Sequence, residues 1–156
     1  MKISEILDVE LISTKIEGND KETVLSNMIE LVSKSSKITD KEKIKNAIFN
    51  REKIMSTGVG KGFAIPHGKT DGVLDMIAAF GITENSIDFE SLDGEPVRLM
   101  FLLVGKENLV GPHLKLLSRI SRLLNKDEFR ASLMTAETPA QIKELFETEE
   151  KTYFEN

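Results

Sequence analysis

Two unbroken apolar stretches, residues 76–81 and 99–104, constrain the fold of this chain more than any other feature of its sequence. A strand with one face in water alternates apolar and polar side chains, whereas these two stretches do not alternate. Both are therefore predicted to be strands that are covered on both faces. With helical patterns before and after them, they indicate an α/β fold: a single domain with a mixed β-sheet flanked by helices on both faces.

Capping signals predict two helices before these strands. Asn19 with Glu22, and Thr39 with Glu42, have the spacing of the capping box that begins a helix. Apolar residues at helical spacing follow each pair, as expected for helices that pack one face against a sheet.

Three more helices are predicted after the strands. The first begins at residues 111–112, and the others cover residues 127–134 and begin at Pro139, where proline suits the first turn. The apolar stripe of the first of these helices is predicted to contain four residues: Leu114, Leu117, Ile120 and Leu124.

Shorter segments complete the predicted domain, which spans residues 1–156. Residues 63–65 form a short strand that Pro66 ends, and residues 93–94 have the Asp-Gly pattern of a hairpin turn. Before that turn we predict a further short strand that contains Ile87, Phe89 and Leu92. The acidic segment 147–156 is expected to fray.

Composition excludes several classes of protein. The net charge of −5 argues against a general nucleic-acid-binding protein, which would carry a basic face. The longest apolar run has six residues, far fewer than the roughly 20 needed to cross a bilayer. Without a signal peptide or a membrane span, the chain is expected to be cytoplasmic and not inserted in a membrane. The absence of cysteine excludes disulfides, thiolate metal sites and a cysteine nucleophile.

The chain contains two histidines, His67 and His113; each follows a proline, and each has a glycine within two residues. An isolated histidine in such a segment is ordinarily a surface residue without a role. Here, however, three closely spaced glycines precede His67. The segment does not match a P-loop, a dinucleotide-binding loop or a serine hydrolase motif, and two histidines are too few for a zinc site. We therefore expect no metal and no cofactor.

A histidine can itself accept a phosphoryl group as a covalent nucleophile. Such a site needs donors for three phosphoryl oxygens, and glycine turns and helix N-termini provide them. The chain offers glycine turns before His67, a helix N-terminus beside His113, and Arg51 upstream as a cation.

These segments resemble a known family. Arg51-Glu52 precedes the sequence STGVGKGFAIPHGK at residues 56–69, and residues 111–117 read GPHLKLL. Together they closely resemble the signature of enzyme IIA components of the bacterial phosphoenolpyruvate:sugar phosphotransferase system. The subgroup is the fructose/mannitol type, which includes the nitrogen-regulatory IIA proteins. The resemblance extends from the N-terminal region to about Phe146.

The resemblance implies a role for each matching residue. His67 corresponds to the histidine that accepts a phosphoryl group from phospho-HPr and passes it to a IIB domain. His113 corresponds to a second histidine that lies beside the first and helps to place the phosphoryl group, and Arg51 to an arginine that assists there. The phosphate loop under the site corresponds to four residues: Thr57, Gly58, Gly60 and Gly68. The family fold, a mixed β-sheet between helices, agrees with the fold predicted from the residue patterns.

Two residues differ from the usual motif, and others are candidates for contact with a partner. Lys61 either strengthens phosphate attraction or is simply solvated, and Phe63 is expected to pack inside. An apolar collar for HPr would consist of Val59, Phe63 and Val110 if these residues are not in the core. The loop 107–110 is predicted to lie beside the site.

The sequence leaves the output of the site open. IIB domains of this class are phosphorylated on cysteine, and neither a cysteine nor a membrane unit is present, so a free-standing IIA is expected. It would be either a phosphoryl relay for sugar uptake or a regulator that binds a target protein according to its phosphorylation state. A third possibility is a degenerate member that binds partners but no longer accepts phosphate.

Overall fold

The computed structural model describes residues 1–154. Within them the chain forms six α-helices and five strands around one sheet, together with a 3₁₀ turn at Val9–Leu11. The elements follow in this order: α1 (Ile3–Ile6), β1 (Ile12–Ile16), α2 (Lys21–Val32), α3 (Lys41–Ile54), β2 (Phe63–Ala64), β3 (His67–Lys69), β4 (Ile77–Ile87), β5 (Val97–Gly105), α4 (Val110–Leu124), α5 (Asp127–Thr135) and α6 (Pro139–Phe154).

The sheet is mixed, as predicted. Its order is β1-β4-β5-β2, and β3 also pairs with β5, farther along that strand. The central strands β4 and β5 are antiparallel with Phe80 opposite Phe101, whereas β1, β2 and β3 join in parallel. Strand β1 was not predicted, because it is a short edge strand whose middle residues are polar.

Helices cover both faces of the sheet, which explains why the two central strands do not alternate. Successive side chains of β5 point to opposite faces, and each face meets a separate apolar cluster. The side chains that pack with α1, α4, α5 and α6 are Leu99, Phe101 and Leu103. Those that pack with α2 and α3 are Met100, Leu102 and Val104.

Both predicted capping boxes were wrong by one residue. The N-cap residues are Asp20, whose side chain accepts the Thr23 N–H at 2.8 Å, and Asp40, which accepts the Lys43 N–H at 3.2 Å. Aspartate is at least as good an N-cap as asparagine or threonine, and its negative charge also interacts favourably with the helix dipole.

The predicted apolar stripe of α4 was half right, because Ile120 and Leu124 are buried but the other two residues are not. Leu114 is 60% exposed, and Leu117 is only partly buried. The buried face instead contains His113, Leu116, Ile120, Leu123 and Leu124. The helix is thus rotated from the predicted orientation, and a histidine occupies a position on its inward face.

A separate short strand between the two central strands was a wrong prediction. Ile87 is the last residue of β4, whereas Phe89 is buried beyond the end of that strand. Leu92 is 66% exposed in the connection to β5. The predicted turn at residues 93–94 is present, with Gly94 at a φ of +75°. The side chains of Asp88 and Asp93 accept backbone N–H groups two residues on, and these local bonds favour turns over a strand.

The acidic C-terminal segment is helical as far as Phe154, where α6 ends, and fraying of its end stays a prediction; residues 155–156 lie outside the described part of the chain. Glu150 of α6 is buried, and its carboxylate accepts the backbone N–H groups of Ile3 and Ser4. Lys143, two turns earlier, donates to the carbonyls of Ser4 and Leu7. The two charged side chains therefore bind both ends of α1.

Glu150→Ala is expected to lower the free energy of unfolding by about 2 kcal/mol, because one buried and one partly buried N–H group lose their acceptor. Urea unfolding followed by circular dichroism measures this loss. Glu147→Ala, on the exposed side of α6, is the control and should change stability by less than about 0.5 kcal/mol. Equal losses in the two variants would contradict the role of Glu150.

Candidate active site

His67 lies at the beginning of β3, at an outer position of the sheet. The three residues of β3 pair in parallel with β5, with His67 beside Leu103 and Lys69 beside Gly105. Pro66 separates β3 from β2, and its carbonyl accepts the N–H of Leu103 at 3.0 Å. At this outer position of the sheet, His67 is only partly buried.

Two glycines allow the second histidine to approach the first. A Cβ added to Gly68 would lie 3.1 Å from Cβ of Ala47, so this glycine lets β3 pack closely against α3. Side chains alternate along a strand, and His67 and Lys69 therefore face away from α3. A Cβ added to Gly105, beside Lys69, would lie 3.0 Å from Nδ1 of His113. Gly105 thus leaves space for the His113 ring.

The two imidazole rings lie together, although they are 46 residues apart in sequence. Their centroids are 5.6 Å apart, and the ring planes are tilted by 52°. Nδ1 of His67 is 2.9 Å from the carbonyl oxygen of Ile65 and donates its proton to that acceptor. This bond leaves Nε2 of His67 with the lone pair that a nucleophile needs.

His113 is almost fully buried, with 2% of its surface exposed. Among residues 1–154, neither of its ring nitrogens has a hydrogen-bond partner. Leaving a buried polar group unpaired costs about 1–3 kcal/mol of folding free energy. A group that carries this cost is a candidate for binding something that is absent from the free protein.

The pKa values of both imidazoles are lowered. Burial is the main cause of the lower pKa of His67, and the hydrogen bond to Ile65 and the charge of Glu52 oppose it. Burial, followed by the charges of His67 and Lys69, lowers the pKa of His113 to about 4. Both rings are therefore neutral at pH 7, and a neutral imidazole is the form that can act as a nucleophile.

The low pKa of His113 predicts that acid destabilises the fold. In the unfolded chain this histidine has its ordinary value of 6.5, so between pH 6.5 and pH 4 the unfolded state binds more protons than the folded state. Stability is fully present above this window and falls as the pH is lowered through it. The histidine should account for about 2 kcal/mol of the loss between about pH 7 and pH 5.

Urea unfolding of the wild type and of His113→Leu at both pH values tests this contribution, since the leucine variant lacks the titrating group. Its free energy of unfolding should fall less with acid than that of the wild type. Parallel losses in the two proteins would contradict the assignment.

Arg51 and Lys69 supply positive charge to the site. Arg51 lies in the last turn of α3, one turn after Ala47, and its Nη1 donates to the carbonyl of Met55 at 2.9 Å. Its charge lowers the pKa of His67, and that of Lys69 lowers the pKa of both rings. Lys69 was not predicted as a site residue. Its position two residues after His67 on one strand was the signal that could have identified it.

The predicted phosphate loop packs against its neighbours. Both the N–H and the hydroxyl of Thr57 donate to the buried carboxylate of Glu52. A Cβ on Gly58 would lie 2.5 Å from Oγ of Ser91, and one on Gly60 would lie 2.7 Å from Oδ2 of Asp93. These glycines therefore permit close packing of the loop against the connection between β4 and β5.

Comparison with known proteins identifies the family. Residues 5–149 match the family model for the phosphoenolpyruvate-dependent sugar phosphotransferase system, EIIA 2. The chain belongs to this family.

The relatives of this EIIA-2 chain carry two kinds of name. It is 40% identical over 151 residues to a fructose-specific EIIABC component of Bacillus subtilis, covering 97% of the chain but only 24% of that longer protein. It is 32% identical over 143 residues to a fructose-specific EIIA component of Haloferax volcanii, covering 92% of the chain and 93% of that relative. A nitrogen regulatory protein of Bradyrhizobium diazoefficiens is 37% identical over 143 residues, covering 90% of the chain and 91% of that relative.

Solved structures agree with the fold. The nitrogen regulatory protein IIA-Ntr of Neisseria meningitidis superposes on the EIIA-2 chain with a TM-score of 0.85 and 34% identity, covering 92% of this chain and 98% of that one. The mannitol IIA of Escherichia coli has a TM-score of 0.76 at 21% identity, which shows the shared fold alone. Within residues 1–154, the helices are too short or too polar to cross a membrane.

The structure separates the residues of the predicted collar. Phe63 is fully buried and belongs to the core, as expected for this departure from the motif. Val59 and Val110 are 48% and 47% exposed. Lys61 is exposed, has a φ of 60°, and its backbone N–H donates to Asp93.

Proposed function

We propose that this EIIA-2 chain is a phosphoryl carrier. It accepts a phosphoryl group from phospho-HPr on Nε2 of His67 and passes that group to a IIB protein. The observation that carries this proposal is the paired arrangement of the two histidines: Nδ1 of His67 is bound to Ile65, and its ring lies 5.6 Å from the unpartnered ring of His113. This role requires the chain to work in the cytoplasm beside its donor.

The proposed transfer of the phosphoryl group uses only the donor and the side chains of this protein. The lone pair on Nε2 of His67 attacks phosphorus, the bond from phosphorus to the donor breaks, and the electron pair of that bond leaves with the donor. Nδ1 keeps its proton and donates it to the Ile65 carbonyl, so the phosphorylated ring carries a formal positive charge beside the negatively charged phosphoryl group. A ring N–H of neutral His113 donates to a phosphoryl oxygen, which would satisfy one of its unpaired nitrogens. The positive charge of Arg51 balances the phosphoryl oxygens.

A docking surface for the donor and the acceptor is part of this proposal. Val110 and Leu114 are exposed in the first turns of α4, on either side of His113 in the sequence, and Val59 is exposed in the loop before His67. Exposed apolar side chains near a reactive group favour contact with another protein, because burying them removes apolar surface from water. We also assign the loop 107–110, which leads into α4, to this surface.

A regulatory function is the second candidate, and the similarity to nitrogen regulatory proteins favours it. One such relative is 37% identical, and the structure of another superposes with a TM-score of 0.85. The chemistry at His67 would be the same. The output would then be binding of a target protein in one phosphorylation state.

Incubation with phospho-HPr, followed by addition of candidate IIB proteins, distinguishes the two outputs. Phosphate that appears on His67 and then moves to IIB supports the relay. Phosphate that stays on His67 and changes binding to a target protein supports the regulator. A wild-type chain that takes up no phosphate would overturn both and support the degenerate member.

A further inference from the structure

Glu52, beside Arg51 on α3, is a buried carboxylate that the transfer chemistry does not use directly. It is 7% exposed. Oε1 accepts the Thr57 N–H at 2.8 Å and pairs with Nζ of Lys21 at 3.1 Å, while Oε2 accepts the Thr57 hydroxyl at 2.7 Å. A buried charge is tolerated only when it is paired in this way. The carboxylate therefore fixes Thr57 through two hydrogen bonds at once.

Backbone hydrogen bonds connect Thr57 to the proposed nucleophile. The Thr57 carbonyl accepts the N–H of Ile65 at 3.2 Å, and the Ile65 carbonyl accepts the Nδ1 proton of His67 at 2.9 Å. Three successive steps thus join Glu52 to the ring: carboxylate to Thr57, Thr57 to Ile65, and Ile65 to His67. Pro66 restricts the backbone of Ile65, the residue that links the last two steps, to an extended conformation.

We propose that Glu52 is a positioning residue for phosphoryl transfer. By holding Thr57, it sets the place of the Ile65 carbonyl, which keeps the proton of His67 on Nδ1 and leaves Nε2 free. The effect on transfer rests on the function proposed above, whereas the effect on the tautomer of His67 does not.

A role limited to stability is the alternative, and Glu150 provides the matched control. It too is a buried carboxylate that accepts two hydrogen bonds, but both come from backbone N–H groups of α1 instead of from the loop before His67. Glu52→Gln and Glu150→Gln make the same chemical change. A role that is merely structural predicts similar losses of stability and no change at His67 in either variant.

The tautomer of His67 is read from its ¹⁵N chemical shifts in histidine-labelled protein at neutral pH. We expect the wild type to show the proton on Nδ1 and Glu52→Gln to show a mixture with the proton on Nε2. The rate of phosphorylation by phospho-HPr should fall by at least about tenfold at saturating donor, with an unchanged donor concentration for half-maximal rate, because positioning and not docking is impaired. Glu150→Gln should keep the wild-type tautomer and rate.

Two variants of Thr57 test the same connection if Glu52→Gln does not fold. Thr57→Val removes the hydroxyl donor and should shift the tautomer in the same direction, whereas Thr57→Ser keeps the donor and should restore the wild-type spectrum. If Glu52→Gln or Thr57→Val folds and keeps the wild-type tautomer and rate, the proposal is overturned. It is also overturned if Glu150→Gln changes the tautomer and the rate as much as Glu52→Gln does. A wild type that shows the Nδ1 proton but takes up no phosphate would instead overturn the proposed function.

Discussion

His67→Gln should abolish phosphorylation of this chain by phospho-HPr, because glutamine keeps a side chain of similar reach but has no nucleophilic nitrogen. The fold should remain, since His67 is partly buried and makes one hydrogen bond, whose loss costs about 1 kcal/mol. Mass spectrometry of the intact protein after incubation with the phosphorylated donor measures the result. The wild type should gain one phosphoryl group, and the variant none.

The matched control for this experiment is Lys151→Gln, which introduces the same residue at an exposed position of α6. It should be phosphorylated like the wild type. A phosphoryl group that persists in His67→Gln would assign the acceptor to another residue and would contradict the proposed carrier mechanism.

His113→Leu should change activity and stability in opposite directions. Leucine has about the same volume and removes two buried ring nitrogens that have no partner among residues 1–154, so the fold should gain about 1 kcal/mol at pH 7. Phosphoryl transfer should fall by about 10²-fold, because one preorganised donor to the phosphoryl oxygens is lost. Such opposite effects are typical of a group that is retained for function at a cost in stability.

Urea unfolding and the initial rate of phosphorylation measure the two effects of His113→Leu. Leu116→Ala, on the same buried face of α4, is the contrasting variant: it should lose about 3 kcal/mol of stability, as other core leucines do. A leucine variant at position 113 that is less stable and transfers phosphate at the normal rate would show that this histidine is an ordinary core residue.

Local residue patterns were sufficient to predict the layers of this fold. The apolar stretches that form β4 and β5 lack alternation because each strand is covered on both faces. A run of a few consecutive apolar residues is enough to indicate such a strand. The pairing of β1 was not predictable in the same way. It depends on contacts with β4, whose paired residues lie 67 or 68 positions farther along the chain, and not on the polar centre of β1 itself.

The corrections at helix ends and faces have a common origin. At the starts of α2 and α3, two adjacent polar residues can each serve as the N-cap: Asn19 or Asp20, and Thr39 or Asp40. Which of the two caps the helix depends on where the chain enters it, and in both helices it is the aspartate. The face of α4 was predicted from leucine spacing alone. Because Gly105 leaves a space under α4, the buried face includes His113 in place of Leu114.

The sequence by itself determined which groups this molecule can use: two histidines, an arginine and glycine turns, in segments specific enough to indicate a family. Only the tertiary structure brought the two rings within 5.6 Å and left His113 buried without a partner. It also placed Glu52 three hydrogen bonds from His67. The reason is physical: residue types set the chemistry that is available, whereas distance, burial and the direction of a hydrogen bond exist only after distant segments have packed together.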